Sequence, residues 1–221
     1  MDSVDKAKAE VLKGCKLVVR KNFTVGTSGN ISMRVEGENL FVITPTSMVY
    51  ETLTADDLVV LDGEGNIAAG KWKPSTEALL HRKILAARPD INAIVHTHSL
   101  YATAYAACRN TRALPPVDIE AALYLGGDIL VADFARPGSM ALAENAVRAL
   151  GNKAGVLLAN HGAVGVGKTM EAAVTASEIL EKTCHSVFLA ALLGGIRELD
   201  PEYKAAAEKE YLRQHGILPL N

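Results

Sequence analysis

Apolar positions along the chain follow two periods, and their alternation lays out the elements. Over residues 3–21 they recur at helical spacing. Val4, Ala7, Val11, Cys15 and Val18 fall on one stripe, with lysines elsewhere, and Asn22 and Gly26 end the helix. The small-residue segment Gly26-Thr27-Ser28-Gly29-Asn30-Ile31-Ser32 turns into a strand. Residues 40–43 and 58–61 are apolar runs of strand length. They close at Thr44-Pro45-Thr46-Ser47 and at the turn Asp62-Gly63-Glu64-Gly65-Asn66. Helical spacing returns over residues 75–87 and stops at Arg88-Pro89-Asp90. After that the pattern predicts a strand ending at His98, a helix over 100–107, a loop at Leu114-Pro115-Pro116 and a strand at 129–132. A helix over 139–150 with Ser139 as N-cap, a strand at 156–159 and a long helix over 170–193 follow. Gly194-Gly195 ends that helix, and a polar helix covers 201–214.

This order predicts one α/β domain over residues 1–221, its sheet enclosed by helices. The short strand-to-strand turns of the first half imply antiparallel pairs, so the sheet is expected to be mixed rather than doubly wound.

The stretch with the clearest chemistry is Ala93-Ile94-Val95-His96-Thr97-His98. On a strand, side chains at i and i+2 share a face, so His96 and His98 can close on one ion. Imidazole suits zinc and its neighbours. A third ligand can come from His161, in Asn160-His161-Gly162 after the 156–159 run. The plain alternative is a histidine pair hydrogen-bonded at a sheet edge. Lys73-Pro74-Ser75-Thr76-Glu77 adds a carboxylate for acid–base work beside two hydroxyls, and Ser75 or Thr76 near a helix N-terminus suits an anion. Glu77 and His81, four apart, share a helical face. The segment 26–32, with Gly29, could likewise approach a phosphate closely; a plain turn is the simpler reading of it.

One motif points elsewhere. Residues 162–169, Gly162 to Thr169, match the G-x-x-x-x-G-K-[ST] phosphate loop letter for letter. A nucleotide hydrolase of that kind needs further buried strands after the loop helix, and after Thr169 only helical pattern remains. Ala163-Val164-Gly165-Val166 reads better as a short strand, with Thr169 capping the next helix.

Composition narrows the function classes. The chain has 221 residues, a net charge of −2 and 49% hydrophobic residues, which suits a packed core and argues against nucleic-acid binding through a basic face. Cys15, Cys108 and Cys184 are odd in number, far apart and without a CxxC, so neither a disulfide framework nor a structural zinc knuckle is expected. The charged N-terminus lacks a signal-peptide apolar region, and the longest uncharged apolar stretch, 187–196, is too short to span a bilayer. A cytoplasmic protein with no membrane partner is expected.

Taken together, Gly29-Asn30-Ile31-Ser32, Thr44-Pro45-Thr46-Ser47, Pro74-Ser75-Thr76-Glu77, His96-Thr97-His98 and Asn160-His161-Gly162 occur in the order seen in the class II aldolase/adducin family. The chain resembles its L-fuculose-1-phosphate aldolase branch over nearly its whole length. The resemblance implies a three-layer α/β/α sandwich with a mixed, largely antiparallel central sheet. It also implies a homotetramer with active sites at subunit interfaces and one divalent metal per subunit, zinc first among candidates. His96, His98 and His161 would be the metal ligands and Glu77 the acid–base carboxylate. Gly29, Asn30, Thr46, Ser47, Ser75 and Thr76 would line the substrate phosphate. The implied reaction cleaves a ketose 1-phosphate, such as fuculose 1-phosphate or a related deoxy-ketose phosphate, to dihydroxyacetone phosphate and an aldehyde.

Three positions depart from the branch pattern. Ser47 replaces a glycine, Thr76 replaces a second serine, and Ile119 stands near the place of the tyrosine that donates a proton from a neighbouring subunit. Tyr124, from a neighbouring subunit, is the candidate to replace it, ahead of Glu120 and His215. Other activities on the same scaffold are a sugar-phosphate 4-epimerase, an oxo-acid phosphate decarboxylase and a methylthioribulose-phosphate dehydratase. Glu77 speaks against the epimerase, which typically has Asp there. The adducin branch, a non-enzymatic interaction module, lacks the intact triad.

Overall fold

The computed structural model describes residues 2–217. Its strands are β1 (Asn30–Arg34), β2 (Leu40–Ile43), β3 (Val59–Asp62), β4 (Ile67–Ala69), β5 (Ala93–Thr97), β6 (Ala113–Leu114), β7 (Ile129–Ala132), β8 (Gly155–Leu158) and β9 (Gly162–Gly167). They form one sheet in the order β4-β3-β2-β1-β5-β9-β8-β7-β6. Every neighbouring pair is antiparallel except β7 with β8. The helices are α1 (Ser3–Arg20), α2 (Ala78–Ala87), α3 (Leu100–Ala106), α4 (Ile119–Leu125), α5 (Met140–Leu150), α6 (Met170–Leu192) and α7 (Pro201–Gln214). The mixed, mainly antiparallel sheet between helices is the architecture expected from the sequence.

Strand alternation divides the core into two faces. On β2, Val42 points toward the cluster built with Val11, Cys15 and Val18 of α1, while Phe41 and Ile43 point to the opposite side. There they meet Leu80 and Ile84 of α2 and Leu142 and Ala146 of α5. A third cluster packs α3, α4, α6 and α7 over Leu157 and Ala163. Burying a side chain such as Ile43 or Ile94 contributes roughly 1.5–3 kcal/mol, so these faces hold the layers together. Cys15 and Cys184 are buried in this core, and burial pushes the Cys15 thiol up to about 12.

The phosphate-loop look-alike is β9, paired on both edges, with β5 and with β8. Its glycines serve packing. A Cβ on Gly165 would lie 2.3 Å from Ser177 Oγ, and one on Gly167 would lie 2.6 Å from the Ala173 nitrogen, so α6 can approach only over bare backbone. Thr169 caps α6 by accepting from the Ala172 N–H.

Three differences from the sequence pattern stand out. The helix expected from residue 75 begins at Ala78, because the Ser75 N–H donates to the Thr44 carbonyl and Thr46 N–H to that of Lys73, which ties 73–75 to the end of β2. Leu114 ends the two-residue strand β6. The third is α4, which the sequence pattern did not predict; it is capped by Asp118, whose side chain accepts from the Ala121 N–H.

Candidate active site

The site lies where β1, β5 and β9 meet the start of α2. β5 runs between β1 and β9, with Asn30 opposite His96 on one side and Val164 opposite His96 on the other. His98 follows the strand end, held by its N–H to the Phe23 carbonyl at 3.2 Å. Bare backbone flanks this segment on both edges. A Cβ on Gly29 would sit 2.7 Å from the His96 carbonyl oxygen, and one on Gly162 would sit 2.3 Å from that of Thr97. Gly29 also has φ +85°, a conformation that favours glycine. The three residues between β8 and β9 form a tight turn in which Asn160 takes φ 56°, and this delivers His161 to the other two imidazoles.

The three rings meet edge-on, with centroids 4.8–5.1 Å apart. One ligand atom from each lies within 4.8 Å of the others. His96 donates its Nδ1–H to the Ala163 carbonyl at 3.0 Å, which turns its Nε2 inward. That nitrogen lies 3.0 Å from His98 Nε2 and 3.1 Å from Glu77 Oε2. Glu77 Oε1 lies 3.3 Å from His161 Nε2 and is buried without a hydrogen-bond partner. A carboxylate oxygen only accepts, so with Nδ1 committed to Ala163 a positive charge must stand between it and His96. A proton would serve, and so would a metal ion shared by three imidazoles and a carboxylate. The donor set therefore fits a divalent cation of the zinc type.

The charges agree with this. Burial pushes the Glu77 carboxyl up, but His96, its hydrogen bond, the Asn30 amide and His161 outweigh burial and hold it well below the usual carboxylate range. Burial, followed by the charges of His96 and His161, brings His98 down to about 4. His161 is lowered too, by burial first and then by His96. Imidazoles kept neutral are the form that binds metal.

Glu77 stands just before α2. Its N–H donates to Ser75 Oγ at 3.2 Å, and Oε2 accepts from Asn30 Nδ2 at 2.9 Å. Ser75 is buried; Thr76 and Ser47 are exposed; Thr46 is intermediate, its hydroxyl 3.4 Å from that of Ser47. The backbone bonds between 44–46 and 73–75 bring these hydroxyls beside the N-terminus of α2. Ser47 has φ 58°, a left-handed backbone that glycine adopts more readily than serine.

Tyr124 is not with them. It is half exposed on α4, beside a cavity of about 360 Å³ lined also by Leu123, Tyr211, Gln214 and His215 but by none of the three metal-site histidines. Glu120 pairs with Lys182, and His215 stacks on Tyr211. Sequence reasoning did not find Ser32. It is buried and bonded to His81, and its signal was the alternation of polar Asn30, Ser32 and Arg34 with apolar Ile31 and Met33 along β1.

Residues 9–188 match the profile described as Class II Aldolase and Adducin N-terminal domain. An L-fuculose phosphate aldolase of Methanococcus maripaludis is 36% identical over 184 residues, 83% of this chain and 96% of that protein. A 5-methylthioribulose-1-phosphate/5-deoxyribulose-1-phosphate aldolase of Rhodospirillum rubrum is 35% identical over 74% of this chain and 72% of its own length. A 3-oxo-tetronate 4-phosphate decarboxylase of Haemophilus influenzae is 38% identical over 76% of this chain and 80% of its own. Among solved structures, an L-fuculose 1-phosphate aldolase superposes with a TM-score of 0.88 at 32% identity, covering 93% of this chain and 96% of the other. With the profile covering most of its length and the fold and histidine cluster alongside, this chain belongs to the class II aldolase and adducin family and is a lyase of its metal-dependent kind.

Proposed function

We propose that the enzyme reversibly cleaves a ketose 1-phosphate to dihydroxyacetone phosphate and an aldehyde, with fuculose 1-phosphate or a related deoxy-ketose phosphate as substrate. The observation that carries this reading is Glu77, a buried carboxylate set between His96, His161 and the Asn30 amide. His96, His98 and His161 would hold one zinc ion. Such an ion supplies Lewis-acid stabilisation of the negative charge that develops on the substrate oxygens.

In cleavage, the bond between the third and fourth carbons breaks and its electron pair stays on the dihydroxyacetone phosphate half. Glu77 delivers a proton to that carbon, and in synthesis it removes the same proton. Asn30 keeps the carboxylate oriented. Gly29, Thr46, Ser47, Ser75, Thr76 and Asn30 bind the phosphate; the Ser75 oxygen accepts from Glu77, so its own O–H remains free to donate. The fourth-carbon hydroxyl loses its proton as the aldehyde forms. We assign proton exchange at that oxygen to Tyr124 of a neighbouring subunit, its phenol giving the proton to the aldehyde oxygen in synthesis and its phenolate taking the same proton back in cleavage, since within one chain Tyr124 lies apart from the histidines.

A homotetramer and a cytoplasmic location belong to the same proposal. Exposed apolar side chains at the end of α6, Phe188, Leu192 and Leu193, support an oligomer. The three free cysteines support a reducing compartment. No helix among the described residues is long and apolar enough to cross a membrane.

The test is a panel of sugar phosphates assayed for dihydroxyacetone phosphate release. It includes L-fuculose 1-phosphate and 5-methylthioribulose 1-phosphate, with 3-oxo-tetronate 4-phosphate assayed for carbon dioxide and Tyr124→Phe run alongside. Release of dihydroxyacetone phosphate, lost in Tyr124→Phe, is expected. Carbon dioxide release alone would replace the aldolase reading with the decarboxylase.

A further inference from the structure

Beneath Glu77 a directed chain of hydrogen bonds runs into the core. Ser32 Oγ lies 2.6 Å from His81 Nδ1, and His81 Nε2 lies 2.5 Å from Asn30 Oδ1. Asn30 Nδ2 lies 2.9 Å from Glu77 Oε2. Ser32 and His81 have no exposed surface, and Asn30 and Glu77 are each 5% exposed. Neither Ser32 nor His81 touches the three metal-site histidines through these bonds, and nothing in the reaction described above requires them.

The donor directions follow from the far end. An ionised Glu77 only accepts, so Asn30 must turn its NH2 toward Glu77 and its carbonyl toward His81. His81 must then carry its proton on Nε2. Its Nδ1 is left as an acceptor, and the Ser32 hydroxyl is the donor that completes the set. With His81 in the other tautomer its Nε2 lone pair would face the Asn30 carbonyl, and turning the amide to relieve that would set the carbonyl against the carboxylate, two acceptors face to face in either case. A core position on α2 facing a central strand would ordinarily carry a Leu or Val. Two polar groups in that place, each bonded to the next in one direction, are an arrangement for orientation.

We propose that His81, its tautomer set by Ser32, is a positioning residue: it locks the Asn30 amide in the one orientation that presents N–H to Glu77. The inference rests on the reading of Glu77 as the proton-transferring group. His81 touches neither substrate nor metal in this role and acts only through Asn30.

The experiment joins a double-mutant cycle to a spectroscopic readout. With L-fuculose 1-phosphate as probe, His81→Leu is expected to lower kcat about 10–100-fold, the range for residues that orient a ligand or catalytic group, with metal content retained. His81→Gln, whose amide N–H can reach Asn30, is expected to recover most of that loss. In an Asn30→Ala background, His81→Leu should cost nothing further, because the group it orients is gone. Losses that multiply would overturn the proposal, as would an unchanged kcat in His81→Leu. Independently of activity, two-dimensional nitrogen NMR of the wild type should show His81 as the neutral Nε2–H tautomer at pH 7, and Ser32→Ala should weaken that preference. The Nδ1–H tautomer in the wild type would overturn the proposal even if His81→Leu fails to fold. Glu77→Gln separates the two ideas. If it is inactive while the cycle is additive, the acid–base reading stands and this inference falls. A Glu77→Gln enzyme at full rate removes the acid–base reading itself, whatever the tautomer.

Discussion

Asn30 and His96 stand directly opposite each other on β1 and β5, and Glu77 Oε2 bonds to both, at 2.9 Å from Asn30 Nδ2 and 3.1 Å from His96 Nε2. Cross-strand neighbours on one face have their Cβ atoms about 4.5–5.5 Å apart, so this pairing sets an amide and an imidazole side by side under one carboxylate. A one-residue slip of β1 against β5 would turn Asn30 to the other face and dismantle the site. The register of two buried strands is thus a condition for the chemistry.

Metal content tests the histidine cluster directly. Wild-type protein is expected to hold one divalent ion per chain, and His96→Ala to lose it, since a ligand and the Nε2 oriented by Ala163 go together. Equal metal in both proteins, measured by atomic emission after dialysis, would rule the site out.

Glu77→Gln is expected to keep the fold and the metal and to lose about 10²–10⁴-fold in kcat, the usual contribution of a general acid–base group. Glutamine preserves the shape, and the N–H of residue 77 still donates to Ser75 Oγ, but its side chain cannot move a proton. Near-wild-type turnover would take Glu77 out of this role.

Gly162→Ala should damage both stability and metal binding. The added carbon would fall 2.3 Å from the Thr97 carbonyl and 3.1 Å from His98 Cδ2, so backbone must shift at the metal site. Overpacking of this kind costs about 1–3 kcal/mol. Urea midpoints and metal affinity would both fall; an unaltered midpoint would show that the β5–β9 edge is looser than described.

Acid should act through His81. Burial, and next the nearby charge of His96, lowers it from 6.5 to about 3, with Glu77 acting weakly in the opposite sense. The unfolded chain therefore binds a proton below about pH 6.5 that the folded chain refuses until about pH 3. Stability falls as pH drops through that window, by at most about 1.4 kcal/mol per pH unit from this group. Between pH 7 and 5, wild type should lose more stability in urea melts than His81→Gln does. Parallel losses would show that other groups dominate.

The segment from Gly162 to Thr169 should bind no nucleotide, because its strand is hydrogen-bonded on both edges and Lys168 Nζ reaches the Gln214 carbonyl. Calorimetry with ATP should give no heat of binding at micromolar concentrations. Binding that vanished in Lys168→Ala would contradict this.

Much of the molecule was legible in the sequence because it rests on local rules. Periodicity placed α1, α5, α6 and α7 within a few residues, and Ser139 and Thr169 announced their caps by residue type. His96 and His98 on one strand face, and His161 after a second strand, were a pattern that alternation alone could suggest. Gly162, Gly165 and Gly167 spell a phosphate loop, and the helical pattern after Thr169 was enough to set that reading aside in favour of a strand; their use in close packing against Thr97 and α6 is announced by no local rule. Tertiary structure decided the rest. The start of α2 moved to Ala78 because residues 73–75 pair with the distant end of β2. The i, i+4 spacing of Glu77 and His81 was visible, but that Asn30 and Ser32 meet them from β1 depends on a helix laid across a sheet. Hydrogen-bond direction is a property of groups brought together from separated positions, and it exists only once the chain has closed around them.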